Sequence, residues 1–370
     1  MRRIPFLRPD LVRKERFLHY LEQIEDSRIY SNYGPLNSLF ENRVVSEYFR
    51  GTGAVTTVCN ATTGLMLAVS QSKRPTGRYA LMPSFTFPAT PLAAMWCGLE
   101  PYFLDIREDT WCVEEEEVDK ALNQLGNEVA VVVPYATFGT AVDLAYYAKL
   151  QASGVPVVVD AAASFGTIVS NEHFGTKFQG IIVFSFHATK PFGIGEGGLI
   201  YSGNIDSIKG IRCAANFGFR ENRESSCQGL NAKLSEYGAA IGLATLDVFE
   251  EKIAAREKVA NWYRQFLNQA GFLRAGWALQ RTHGRVPVQF MSVLCPQGHA
   301  SVEFVTKLTR KGIEARTYFL PPCHQQRQFT RFPTGKLTST ENIGKRVINL
   351  PFWEDMTFEV IKSVIDSLHH

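Results

Sequence analysis

The chain of 370 residues is 45% hydrophobic and 20% charged, which gives enough apolar material for a large core and enough length for two domains. Its 39 basic and 36 acidic residues leave a formal net charge of +3 without a dense Lys/Arg block or zinc-finger spacing, so no nucleic-acid partner is expected. Charges and prolines interrupt every apolar stretch of MRRIPFLRPDLVRKERF before a signal-peptide core forms, and no later run approaches the ~20 residues of a spanning helix. A cytoplasmic protein with no membrane contact is expected.

After a helical N-terminal segment, short apolar runs alternate with amphipathic stretches between residues 55 and 202. VTTVC, YALMPS, EVAVVVPY, GVPVVVD, GIIVFSFH and GGLIYS are rich in β-branched residues and too short for buried helices, so they read as buried strands. TTGLMLAVSQSK and DLAYYAKLQASG place apolar residues at helical spacing between them. This alternation predicts an α/β fold with a mostly parallel central sheet flanked by helices. From Leu234 the pattern becomes a long amphipathic stretch of one or two helices. Beyond it, VPVQFMSVLCP and GIEARTYFLP read as strands flanking a helix, SVEFVTKLTRKG. The expected division is a large domain over 1–250 and a smaller C-terminal α+β domain over 251–370. The seven cysteines lack a CxxC pair and are expected to be mostly small buried hydrophobes.

Four sites along the chain carry chemistry. Lys190, in FSFHATKPFGIGEGG, follows a buried strand and precedes glycines at 193, 195, 197 and 198, which let backbone pass close to a ligand. A lysine at a strand end is ordinarily a solvated surface group, so its neighbours decide its meaning. Asp160 ends VPVVVD, on what should be an adjacent strand; alone it reads equally well as a helix cap. Asn60, Ala61, Thr62 and Thr63 lead from a strand into a helix, a ready anion site or a plain N-cap, and Ser185 could add a hydroxyl. Phe85 and Phe87 lie just past another strand, where either could stack on a flat ring or pack in the core. An amine, a carboxylate, an anion site and an aromatic face at one sheet edge are what pyridoxal 5′-phosphate (PLP) requires: an anchor for its aldehyde, a partner for its ring nitrogen, a phosphate cradle and a stacking surface.

Taken in order, CNATTGL, PSFTFPAT, VVVDAAASFG, FSFHATKPFGIGEGG, GLNAKLSEYGAAIGL and YFLPPCHQQ resemble the DegT/DnrJ/StrS family of PLP-dependent sugar-nucleotide aminotransferases, of fold type I, over nearly the whole chain. The resemblance implies that Lys190 is the Schiff-base lysine and Asp160 the ring-nitrogen partner. It makes Phe87 the stacking aromatic, with Ala61, Thr62 and Ser185 at the phosphate. It implies further that Asn231 reaches the phosphate of a neighbouring subunit, so that the active site lies at a homodimer interface. The implied reaction moves an amino group, from glutamate, onto a nucleotide-linked keto-sugar destined for a cell-surface polysaccharide, such as lipopolysaccharide, or an antibiotic.

Two departures stand out: Ala61 where the family commonly has Gly, and Ala163 where it has His or Gln. Relatives with histidine in place of the lysine dehydrate their substrates, which Lys190 argues against here. A sugar nucleotide needs basic and aromatic groups at the mouth of the site, for which Tyr33, Arg220, Arg223, Tyr318 and His324 are candidates. Two competing readings remain at this level. One is a regulatory protein of the same fold that binds PLP or a sugar nucleotide without turnover. The other is a different fold type I enzyme, such as one transferring sulfur to Cys323.

Overall fold

The computed structural model describes residues 3–220 and 223–369. Among them, seven strands form the central sheet: β1 (Ala54–Val58), β2 (Tyr79–Pro83), β3 (Glu100–Leu104), β4 (Val129–Val132), β5 (Val158–Asp160), β6 (Ile181–Ser185) and β7 (Gly198–Ser202). Ladders and bridges give the order β3-β2-β4-β5-β6-β7-β1, with β4 joined to β5 through Val132↔Val157 and Tyr135↔Asp160. Only β7 runs against its neighbours, antiparallel to both β6 and β1. The sheet is therefore mixed, with a parallel majority.

Each strand feeds two cores because successive side chains alternate between faces. Ile182, Phe184, Leu199 and Tyr201 join one buried cluster, while Ile181, Val183 and Ile200 join the cluster on the opposite face. Helices α1 (Leu18–Ser27), α2 (Pro35–Tyr48), α3 (Ala61–Ser72), α4 (Ala89–Trp96), α5 (Glu115–Leu125), α6 (Leu144–Ala152), α7 (Ile205–Ala214) and α8 (Glu236–Leu246) surround the sheet. Several start where a side chain satisfies the unpaired first-turn N–H groups. Asn60 accepts from the Thr63 N–H at 2.9 Å, and Asp143 from the N–H groups of Ala145 and Tyr146. The start of α2 is capped from a distant part of the chain. Buried Glu236 accepts from the N–H groups of Leu36 at 2.7 Å and Asn37 at 3.0 Å, tying α2 to α8.

The amphipathic stretch after Leu234 resolves into two helices, α8 and the long α9 (Phe249–Gln269). Beyond it lie α10 (Ser301–Arg310), α11 (Thr338–Arg346), α12 (Phe358–His369) and a small antiparallel sheet of β8 (Ala278–Leu279), β9 (Met291–Leu294) and β10 (Val347–Leu350). This sheet corrects one expectation: GIEARTYFLP is not a strand but touches the fold through the single bridges Ile4↔Ile313 and Arg316↔Asn349. Paired backbone bonds at these two bridges hold it without extending into a ladder, and past Arg316 the Asn349 amide oxygen accepts from the Tyr318 N–H at 2.8 Å. Pro321, its last residue, and Pro322, directly after it, cannot donate to a ladder. The third cluster draws on Val293, Ile348 and Val364 but also on Phe6, Phe85 and Tyr135. We propose that the boundary between a large and a small domain lies at the start of α9.

The cysteines also differ from expectation. Cys112, Cys295 and Cys323 are buried, whereas Cys59, Cys97, Cys213 and Cys227 are half-buried.

The Glu236 cap predicts that Glu236→Ala, by leaving two buried N–H groups unpaired, destabilises the protein by about 2 kcal/mol. Differential scanning calorimetry should register this as a melting temperature lower by several degrees.

Candidate active site

In an open α/β sheet, loops leaving the carboxyl ends of parallel strands form the ligand crevice. Here the ends of β1, β2, β5 and β6 deliver Asn60, the 84–88 turn, Asp160 and Ser185 to one edge. The loop over 186–197 folds back on itself before β7 begins. Its closure uses backbone bonds from the Ile194 N–H to the Phe186 carbonyl, from the Ala188 N–H to the Gly195 carbonyl, and from the Phe186 N–H to the Gly197 carbonyl. Lys190 sits within this loop. Gly195 has φ +103°, a conformation that favours glycine. At Gly198 a Cβ would come within 2.9 Å of the Ala61 nitrogen, so glycine lets β7 pass against the start of α3.

The Lys190 amine lies in poorly solvated surroundings, which push its pKa down to about 8, while the nearby Asp160 carboxylate acts in the opposite direction. The residue as a whole keeps partial exposure, so the amine is crowded yet reachable. Its nearest polar partner is the Gln289 side-chain oxygen at 3.4 Å, and Gln289 in turn donates to the Thr189 carbonyl at 3.2 Å.

Asp160 is 3% exposed. Burial raises its pKa, opposed first by the Thr90 hydroxyl, then by the Ala162 N–H and by Lys190. Thr90 donates to one carboxylate oxygen at 2.6 Å and the Ala162 N–H to the other at 3.2 Å. Burial thus works against the charge on both groups, and each supports the charge of the other.

Ala61 and Thr62 open α3, where N–H groups have no intrahelical partner and the helix dipole favours an anion. Thr62 is exposed, and buried Ser185 directs its hydroxyl oxygen to the His187 N–H at 3.3 Å. The structure separates the two phenylalanines. Phe85 is fully buried among Trp111, Phe138 and Phe319, which removes it as a stacking candidate, whereas Phe87 is 56% exposed at the same edge. Ala163 is buried beside Ser164 and adds no polar group.

The mouth candidates fall into two groups. Arg220, Arg223 and Asn231 lie exposed in the segment between α7 and α8, and Asn231 accepts from Lys233 at 2.7 Å. The others are engaged within the chain. Tyr33 lies under the Arg212 guanidinium at 3.6 Å, and burial pushes its phenol up to about 12. The His324 Nδ1 is 2.7 Å from the Ser84 hydroxyl and its Nε2 is 3.3 Å from Glu341. Tyr318 packs against Phe6, Phe290 and Phe319. Cys323 is fully buried, bonds the Thr86 carbonyl, and has its thiol pushed up to about 12 by burial, unlike a sulfur-accepting thiolate.

Two residues at the site were missed in the sequence although each carries a signal. Gln289 is a buried polar residue inside the apolar run VPVQFM, and Thr90 stands four residues after Thr86 at the start of a helix.

A family model described as the DegT/DnrJ/EryC1/StrS aminotransferase family matches residues 12–369. The chain belongs to that family. It is 49% identical to a Bacillus cereus protein described as a PLP-dependent aminotransferase, whose crystal structure superposes with a TM-score of 0.99 over 100% of both chains. The crystal structure of DesI in the presence of its TDP-sugar product is 31% identical, with a TM-score of 0.90 over 100% of this chain and 92% of that one. A curated Escherichia coli relative, dTDP-4-amino-4,6-dideoxy-D-glucose transaminase, is 26% identical over 98% of this chain and 96% of its own. As a DegT/DnrJ/EryC1/StrS member the protein is a PLP-dependent aminotransferase of fold type I.

The depressed pKa of Lys190 sets a testable pH dependence. Amines react with acylating reagents only when neutral, so in the cofactor-free protein acetylation of Lys190, followed by mass spectrometry at limiting reagent, should rise with pH through a midpoint near 8. Solvated lysines titrate about two units higher.

Proposed function

We propose that the protein moves an amino group from glutamate to a nucleotide-linked keto-sugar in the cytoplasm, using the site around Lys190 and Asp160. The observation that carries the assignment is the pairing of a desolvated amine with a buried carboxylate at the sheet edge where α3 presents its N-terminus. The sugar nucleotide as substrate is supported by the printed activity of the Escherichia coli relative and by the TDP-sugar product of DesI.

The residues fit PLP at each of its contacts. Lys190 would hold the aldehyde and Asp160 the ring nitrogen. Ala61 and Thr62 with Ser185 would cradle the phosphate, and Phe87 would cover a ring face. Asn231, exposed on this chain, would reach the phosphate in a second copy and so place the sites at a homodimer interface.

When bound, PLP supplies an electron sink for the negative charge that develops at the donor's α-carbon. The chain's own groups do the rest. Asp160, whose hydrogen bonds from Thr90 and Ala162 favour its charged form against burial, would hold a positive charge opposite it. Lys190, with a pKa near 8, exchanges between ammonium and amine at neutral pH and can both remove and return a proton. Gln289 limits where that amine rests. Arg220 and Arg223, both exposed, would offer charge to a diphosphate, whereas Tyr33 and His324 are engaged within the chain. The inert thiol of Cys323 weighs against sulfur transfer.

The test is spectroscopic. Purified protein with PLP should show a visible band that bleaches with glutamate and returns with a keto-sugar nucleotide, whereas Lys190→Ala should lack the normal band. Asp160→Asn should retain PLP poorly and turn over more slowly by on the order of a hundredfold. Near-normal turnover of Asp160→Asn would overturn the role given to Asp160, and a band indifferent to every amino donor would mean a binding protein instead of an enzyme.

A further inference from the structure

Thr90 forms the shortest contact to the Asp160 carboxylate, at 2.6 Å, and both residues are almost wholly buried. A carboxylate has no proton to give, so the Thr90 hydroxyl must be the donor. Its oxygen is then left to accept, and the Thr86 hydroxyl lies 2.9 Å away, also buried. The direction along the chain of groups is thereby fixed: Thr86 donates to Thr90, and Thr90 donates to Asp160.

Three segments anchor this relay. Thr90 belongs to the first turn of α4, and its N–H bonds the Phe87 carbonyl at 3.1 Å, so one turn sets both Thr90 and the exposed Phe87. The Thr86 carbonyl accepts from the Cys323 thiol at 3.2 Å, which joins the 318–326 segment to the same turn. The second Asp160 oxygen is held by the Ala162 N–H, so neither oxygen is left to rotate freely.

We propose that Thr90 is a positioning residue for the aminotransferase reaction: its hydroxyl, oriented by Thr86, keeps Asp160 ionised and fixed in the place assigned to the cofactor's ring nitrogen. The inference rests on the PLP reading above. A hydrogen bond donated to a carboxylate stabilises the charged form and lowers its pKa, whereas desolvation raises it. Without Thr90 the burial at this position would lose its largest opposing contact, leaving the Ala162 N–H and Lys190, and a protonated Asp160 could no longer support a positive ring.

Among the described residues, Lys190, Tyr135 and Cys323 face Asp160 and the relay, and His324 faces the same turn through its 2.7 Å contact with the Ser84 hydroxyl. Burial raises the phenol of Tyr135 and pushes the thiol of Cys323 up to about 12, so both stay neutral between pH 5 and 8. Burial pushes the free Lys190 amine down to about 8, above the acid side of the profile. Thr90→Val leaves His324 and its partner Ser84 in place, so a difference between the acid sides of the wild-type and Thr90→Val profiles reports on Asp160.

The experiment measures PLP retention by absorbance after equilibrium dialysis of wild type, Thr90→Val, Thr90→Ser and Thr86→Val from pH 5 to 8, with circular dichroism of each to confirm folding. Loss of one hydrogen bond to a charged group should move the acid midpoint of retention in Thr90→Val upward by about one pH unit. Thr90→Ser should restore the wild-type midpoint, and Thr86→Val should shift it in the same direction by less. Thr86→Val keeps the test open if Thr90→Val does not fold. A Thr90→Val profile that superposes on wild type, or that is reduced equally at every pH, would overturn the inference while the PLP reading stands. If wild type itself retains no PLP, the reading on which the inference rests falls with it.

Discussion

A lysine amine and an aspartate carboxylate share a poorly solvated edge of the central sheet, and their mutual support against burial is the constraint on which the rest of the site depends. Neither charge is stable there alone, because removing an ion from water without compensation costs several kcal/mol. The fold supplies the compensation from different directions. The Thr90 hydroxyl comes from α4, the Ala162 N–H from the turn after β5, and the Gln289 amide from just before β9. Together they hold the Lys190 amine close to the pH range in which proton transfer is useful and support the Asp160 charge against burial.

The strands were legible because buried parallel strands are short apolar runs, and GIIVFSFH and GVPVVVD can hardly be anything else in water. Asp160, Lys190 and Ser185 were legible for the same reason: each sits at or just beyond the carboxyl end of such a run, where α/β sheets bind ligands. What periodicity could not give is the direction of β7. GGLIYS has the same composition whether it runs parallel or antiparallel, and only its pairing with β6 and β1 decides.

The reading failed where contacts other than backbone ladders hold the chain. GIEARTYFLP has the residues of a strand, but its Tyr318 N–H goes to the Asn349 side chain and two prolines follow. Phe85 and Phe87 are indistinguishable by type and spacing, yet one is buried among Trp111, Phe138 and Phe319 and the other is exposed. Thr90 and Gln289 escaped notice because their importance lies in whom they touch across long sequence separations. The same holds for Glu236, whose carboxylate caps a helix 200 residues earlier.

The reversal of β7 has a consequence for how the site assembles during folding. Because β6 and β7 are antiparallel neighbours, the segment between them is a short hairpin connection, and the backbone bonds that position Lys190 close small loops. Closing such loops costs little chain entropy, so the loop that carries the lysine can form early and locally, while Gln289 joins it from 99 residues away. Asp160 and the turn bearing Thr90 and Phe87 belong to the parallel part of the sheet, whose pairings join segments about twenty or more residues apart. The loop that carries Lys190 is therefore built from more local contacts than the parallel strands that deliver Asp160 and Thr90.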